Sequence, residues 1–146
     1  MSDRSKRLVR LQALRERIRD AAAGAVGEQE QVVRVESART DAARETLDAL
    51  MTDPVRQLAR VKSVADLELV ERERRAARFD VKTREQALVE AEEEAARRRV
   101  VLHAKERDLR TTERLLDRER ASIAADGRRT EQKSADDLSA ARSVKP

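Results

Sequence analysis

The sequence predicts an all-α fold: a long antiparallel two-helix coiled-coil hairpin with a C-terminal single-helix overhang. Three observations carry this. Apolar residues recur at alternating three- and four-residue spacing along most of the chain, which is the seam period of a coiled coil. Charged residues make up 42% of the chain and aromatics 1%, so there is too little large apolar side chain to fill a globular interior. The periodic pattern is interrupted at Met51-Thr52-Asp53-Pro54, where proline removes an amide donor and disfavours helix at the residue before it.

The first helix is expected over residues 5–51. Its apolar stripe begins at Leu8 and continues through Leu11, Leu14, Ile18, Ala21, Ala25, Val32 and Val35, broken only at Glu28. It then drifts through Ala38 and Ala42 or Ala43 to Leu47 and Leu50. Gly24 and Gly27 lie inside this helix and mark a soft spot, since each costs about 1 kcal/mol relative to Ala. Residues 52–65 form the turn region. Asp53 and Pro54 can end the first helix, or cap a short helical turn over Arg56–Val64 with Pro54 at its first position. Ser63 or Asp66 is the expected cap of the second helix.

That second helix, over residues 66–140, carries the clearest signal. Every seventh residue from Leu67 reads Leu67, Arg74, Val81, Leu88, Ala95, Leu102, Leu109, Leu116, Ile123, and eight of these nine are apolar. The companion row, three residues on, reads Val70, Ala77, Arg84, Ala91, Arg98, Lys105, Thr112, Glu119. It is apolar only near its start, so the seam narrows to a single line suited to one partner helix. Gly127 weakens the far end, and residues 141–146 are expected to fray. With the turn centred near residue 58, the numbers of facing residues add to about 117: Leu50 faces Leu67, and Leu8 faces Leu109. About 25 residues of the second helix then extend beyond the first.

Charge is patterned along the chain. Residues 1–20 hold seven basic and three acidic groups, and residues 97–118 hold eight and four. Residues 21–53 and 66–96 are acidic on balance. The folded hairpin thus has a basic terminal half and an acidic stretch toward the turn. The same charges also support a plainer reading, a solvated coiled-coil surface laced with i, i+4 pairs.

Several function classes are excluded. There is no cysteine and one histidine, His103, so no thiolate or paired-histidine metal site and no cofactor is expected. A two-helix assembly offers no enclosed pocket to perturb the many carboxylates, so no enzymatic activity is expected. Nucleic acid binding is disfavoured, because acidic groups nearly match basic ones and stacking aromatics are missing. No apolar run is long enough to span a membrane, and the N-terminus has no apolar signal core. A cytoplasmic protein, monomeric on its own, is expected.

The C-terminal residues carry a family resemblance. Glu131-Gln132-Lys133-Ser134-Ala135-Asp136-Asp137-Leu138 resembles the C-terminal signature of the flagellar export protein FliJ family and the related YscO-type stalk proteins of type III secretion. In that signature an acidic residue, Gln and Lys precede Asp-Glu and an apolar residue; Asp137 here replaces the Glu. The opening run around Leu8, Leu11, Leu14, Arg15 and Glu16 is similar to that family's first helix. The resemblance implies a stalk that inserts in a hexameric export ATPase, promotes its assembly, couples it to the cytoplasmic domain of the export gate and handles substrate chaperones, at the base of the secretion apparatus. It implies ATPase binding by Glu131, Gln132, Lys133, Asp136, Asp137 and Leu138. It places gate binding at the start of the second helix, where the apolar residues are Val64, Leu67, Val70 and Ala77. Flagellar and virulence systems both fit. A generic coiled-coil scaffold or homodimer is the competing reading.

Overall fold

A computed structural model describes residues 1–52, 56 and 59–144. Among these, two long helices are found and no strand: α1, Asp3–Thr52, and α2, Val64–Ser143. The alternatives for Asp53 and Pro54, the expected turn centre at residue 58 and the last two tail residues lie outside the described residues.

Side-chain caps start both helices. Ser2 Oγ accepts the Ser5 amide at 3.0 Å, ahead of Asp3 in the first turn. At α2, Ser63 Oγ accepts the Asp66 amide at 3.3 Å, and Asp66 Oδ2 reaches back to the Lys62 amide at 3.0 Å. These contacts satisfy amides that a helix start leaves without intrahelical partners. Both expected cap residues therefore act, as the two halves of one reciprocal device.

The packed residues fall into two units. One comprises Met1–Ala21 with α2 from His103 on; the other comprises Ala22–Leu102. In each, the helices run antiparallel. In the first, Arg15 Nη1 donates to the Asp108 carbonyl and Thr112 Oγ1, and Arg4 and Ser2 both meet the Glu119 carboxylate. In the second, Gln29 Nε2 donates to the Ala91 carbonyl at 3.1 Å and Thr40 Oγ1 to the Arg84 carbonyl at 3.2 Å. Arg98 Nη1 donates to the Ala25 carbonyl at 2.9 Å, and Arg44 pairs with Glu85 at 3.1 Å.

In both units the numbers of facing residues add to about 124, not about 117. The expected register is corrected by one heptad: Leu8 stands at the level of Leu116, and Leu50 at the level of Arg74. The reason is that a seam repeating every seven residues is unchanged by a slip of seven. Apolar pattern alone does not distinguish the two alignments. The side-chain pairs do: Arg15 with Thr112, Ser2 and Arg4 with Glu119, and Arg44 with Glu85 each need one residue type at one level of the facing helix.

The seam of α2 is the one the heptads point to. Val70, Val81, Ala91 and Ala95 are buried in one unit, and Leu109, Thr112 and Leu116 in the other. The seam of α1 keeps Leu8, Ala43, Leu47 and Leu50 of the expected stripe but departs from it between them. Among the buried and half-buried residues of α1, one row in the first unit reads Ser5, Leu8, Gln12, Arg15 and Arg19, with Val9, Leu11 and Glu16 half-buried beside it. In the second unit the row reads Ala22, Val26, Gln29, Val33, Glu36, Thr40, Ala43, Leu47, Leu50, with Ala25, Glu30 and Ser37 half-buried beside it. This row keeps an unbroken three–four alternation but is half polar. The more apolar row of Leu14, Ile18, Val32 and Val35 sits one residue earlier, about 100° around the helix, and stays exposed. Polar residues occupy the seam because α2 offers them partners. Arg15, Gln29 and Thr40 all reach main-chain carbonyls of α2, whereas Glu36 Oε2 in the same row is buried without a hydrogen-bond partner.

Gly24 and Gly27 do not interrupt α1, and no heavy atom lies within 4 Å of a Cβ built at either. The soft spot is one of propensity, not of a break in the helix.

Candidate functional site: the unpaired end of the second helix

The first unit contains a paired and an unpaired stretch of α2. Pairing ends where α1 begins, at the Ser2, Arg4 and Glu119 cluster. Beyond it α2 continues to Ser143, and every residue over 126–144 is exposed. The seam row changes character just beyond this level. After Leu109, Leu116 and Ile123 it reads Asp126, Thr130, Lys133, Asp137 and Ala140, which gives a partner helix nothing large and apolar to bury.

The signature residues lie in this stretch. Gln132 Nε2 donates to Asp136 Oδ1 at 3.1 Å, one helical turn on. Arg129, Gln132 and Asp136 share a face, with Lys133 at its edge. Glu131 and Leu138 are seven residues apart and share a neighbouring face, while Asp137 points away from both. Leu138 is 64% exposed. The six residues thus ring the helix, and what the arrangement can do chemically is present charge and one leucine in several directions at once.

The four residues named for gate binding are not brought together on one surface. Val64 and Leu67 are exposed, whereas Val70, 5% exposed, sits in the seam against α1 and Ala77 is half-buried. Leu69 and Phe79 are open instead, Phe79 at 73%. Their signal was in the sequence: neither falls in either heptad row of α2, so both must point outward.

No concave site with perturbed chemistry appears among the described residues. His103 is exposed, with Nδ1 at 3.3 Å from Glu106 Oε2, and no group of three or more metal-binding side chains is found among them. Glu94 is a carboxyl with a displaced pKa. Hydrogen bonds from Arg97 and then Arg98 hold it below its usual range, against a small opposing effect of burial. That is an ion-pair cluster on a helix surface, not a poised catalytic group. Among the described residues, no helix is long and apolar enough to cross a membrane.

Residues 4–145 match the family described as flagellar FliJ protein. The chain belongs to the FliJ family. Nearly the whole length is matched, so membership rests on the full hairpin and not only on the eight-residue signature. No curated protein and no solved structure matches the chain. Membership implies a component of the flagellar export apparatus, a type III secretion system. Of the two systems left open by the resemblance, it selects the flagellar one.

Proposed function

We propose that this FliJ-family chain is the stalk of the export ATPase, with the unpaired part of α2 entering a hexameric ring, promoting its assembly and coupling it to the export gate. The observation that carries this reading is the exposed helix over 126–143, with Glu131, Gln132, Lys133, Asp136, Asp137 and Leu138 distributed around it. A helix on the axis of a six-fold ring cannot match the ring's symmetry and meets its subunits on all sides. Charged, exposed residues make weak contacts that exchange readily. The paired end of the same unit is basic: residues 1–20 hold seven basic and three acidic groups. Acidic ring surfaces would be steered onto it, with salt sensitivity.

The gate contact falls to the exposed apolar residues near the start of α2, Val64 and Leu67 joined by Leu69, with Val70 and Ala77 supporting them from the seam. Substrate chaperones remain partners on the family's account, and the site of action is cytoplasmic. The chain itself supplies no catalytic group and no cofactor to the cycle.

Removal of residues 125–146 tests the reading. The truncated chain should keep its thermal melting transition, because pairing ends near Glu119, and should lose stimulation and assembly of the purified export ATPase. Full stimulation by the truncated chain would sink the proposal. Co-purification with the ATPase that is equal at low and high salt would remove the electrostatic part of it.

A further inference from the structure

The apolar row that α1 leaves out of its seam has a use of its own. In the first unit, Leu11, Leu14, Ile18 and Ala21 follow a three–four–three spacing along one face. Leu14 is 53% and Ile18 40% exposed, although large aliphatic residues at this spacing are what a helix normally turns toward a partner. Arg7, Arg10 and Arg17 lie within about 60° of Leu14 around the helix. Among the described residues, none of the three is in a salt bridge or a side-chain hydrogen bond. This contrasts with Arg4, Arg15 and Arg19, which meet Glu119, Thr112 and Asp20.

We infer that this face of α1 docks an acidic amphipathic helix of a partner protein. Leu14 and Ile18 would take its apolar residues, and Arg7, Arg10 and Arg17 its flanking carboxylates. Charge complementarity selects the occupant. Three guanidiniums without internal partners surround the apolar row, and residues 1–20 hold seven basic groups against three acidic ones. A second copy of this chain would bring the same arginines face to face. An acidic helix supplies both the buried apolar stripe and the counter-charge, the helix-in-groove mode of recognition. The face lies on α1, apart from the Glu131–Leu138 segment of α2, and its arginines belong to the basic end that the proposed ring contact also uses.

The test uses the full chain and a fluorescein-labelled peptide of about three heptads, with Leu at alternating three–four spacing and Glu at the flanking positions. Anisotropy should show saturable binding. The Leu14→Ser/Ile18→Ser chain should bind at least tenfold more weakly, and a peptide of the same composition with its leucines scrambled should bind at least tenfold more weakly to the unaltered chain. Arg10→Glu/Arg17→Glu, which alters no seam residue, should abolish binding while leaving the thermal melt unchanged. That variant keeps the test decisive if the serine chain melts early. Equal binding of the two peptides, equal binding to the unaltered and serine chains, or absence of binding would each overturn the inference. So would a dimer, seen by light scattering of the chain alone, that the serine substitutions abolish, since it would show that a second copy covers the face.

Discussion

Two stretches of α2 in the same unit, residues 105–119 and 126–144, share a helix and a dense mixture of charges, yet one is paired and the other stands alone. Local propensity does not separate them, since both are helical. What separates them is the seam row. Leu109 and Leu116 occupy it in the paired stretch, and Asp126, Lys133 and Asp137 in the solitary one. A long charged helix is therefore partitioned by a handful of positions. Burial of a few leucines decides where a second helix is tolerated, and hydrogen bonds within the helix carry the rest.

The largest expected effect tests that division directly. Leu116, 2% exposed, should cost about 3 kcal/mol of unfolding free energy when changed to Ala. Leu138→Ala should change it by less than about 0.5 kcal/mol. Comparable losses in denaturant melts would erase the distinction between the two stretches.

Next in size is the register. The chain contains no cysteine, so introduced pairs report alignment cleanly. Ala43→Cys with Val81→Cys should oxidise to an intramolecular disulfide, whereas Ala43→Cys with Arg74→Cys, one heptad away, should not.

A smaller effect separates the glycines. Gly27→Ala, with open space at its Cβ, should raise global stability by about 0.5–1 kcal/mol. Gly127→Ala should leave the global melt unchanged and slow amide exchange over the surrounding residues, because its helix has no partner whose unfolding it shares.

The smallest effect is Glu94. Its carboxyl is held below the usual range by Arg97 and Arg98, so its contribution is complete above the ordinary unfolded pKa and fades as the pH falls through the lowered folded value. Glu94→Gln should flatten the acid limb of the stability profile slightly and leave neutral stability nearly unchanged, since the group is at the surface.

The sequence was an uneven guide. Most of the second helix could be read: from Arg74 to Leu116 its heptad row is buried or half-buried, although Leu67 and Ile123 at the ends of the row are exposed. The caps Ser63 and Asp66 were legible because capping is local chemistry. The first helix misled, because Leu11, Leu14 and Ile18 make a better apolar stripe than Ser5, Gln12 and Arg15. Only the facing carbonyls of α2 reveal that the polar row is satisfied when buried. The register failed by one heptad for a related reason: periodicity is blind to a shift by its own period. The residues of the candidate site were visible as a signature, but a linear motif does not say that its members ring an exposed helix, nor that Val70 and Ala77 turn inward.

The contact between Arg15 and the Thr112 level of α2 also acts as a gauge. Moving it by one heptad in either direction would slide the end of α1 along α2 by about 10 Å and lengthen or shorten the free helix by the same distance. The reach of the protein into whatever it enters is thus set by a stop located well behind the tip, and a single guanidinium seated on a threonine and a carbonyl meters how much of the helix is left free.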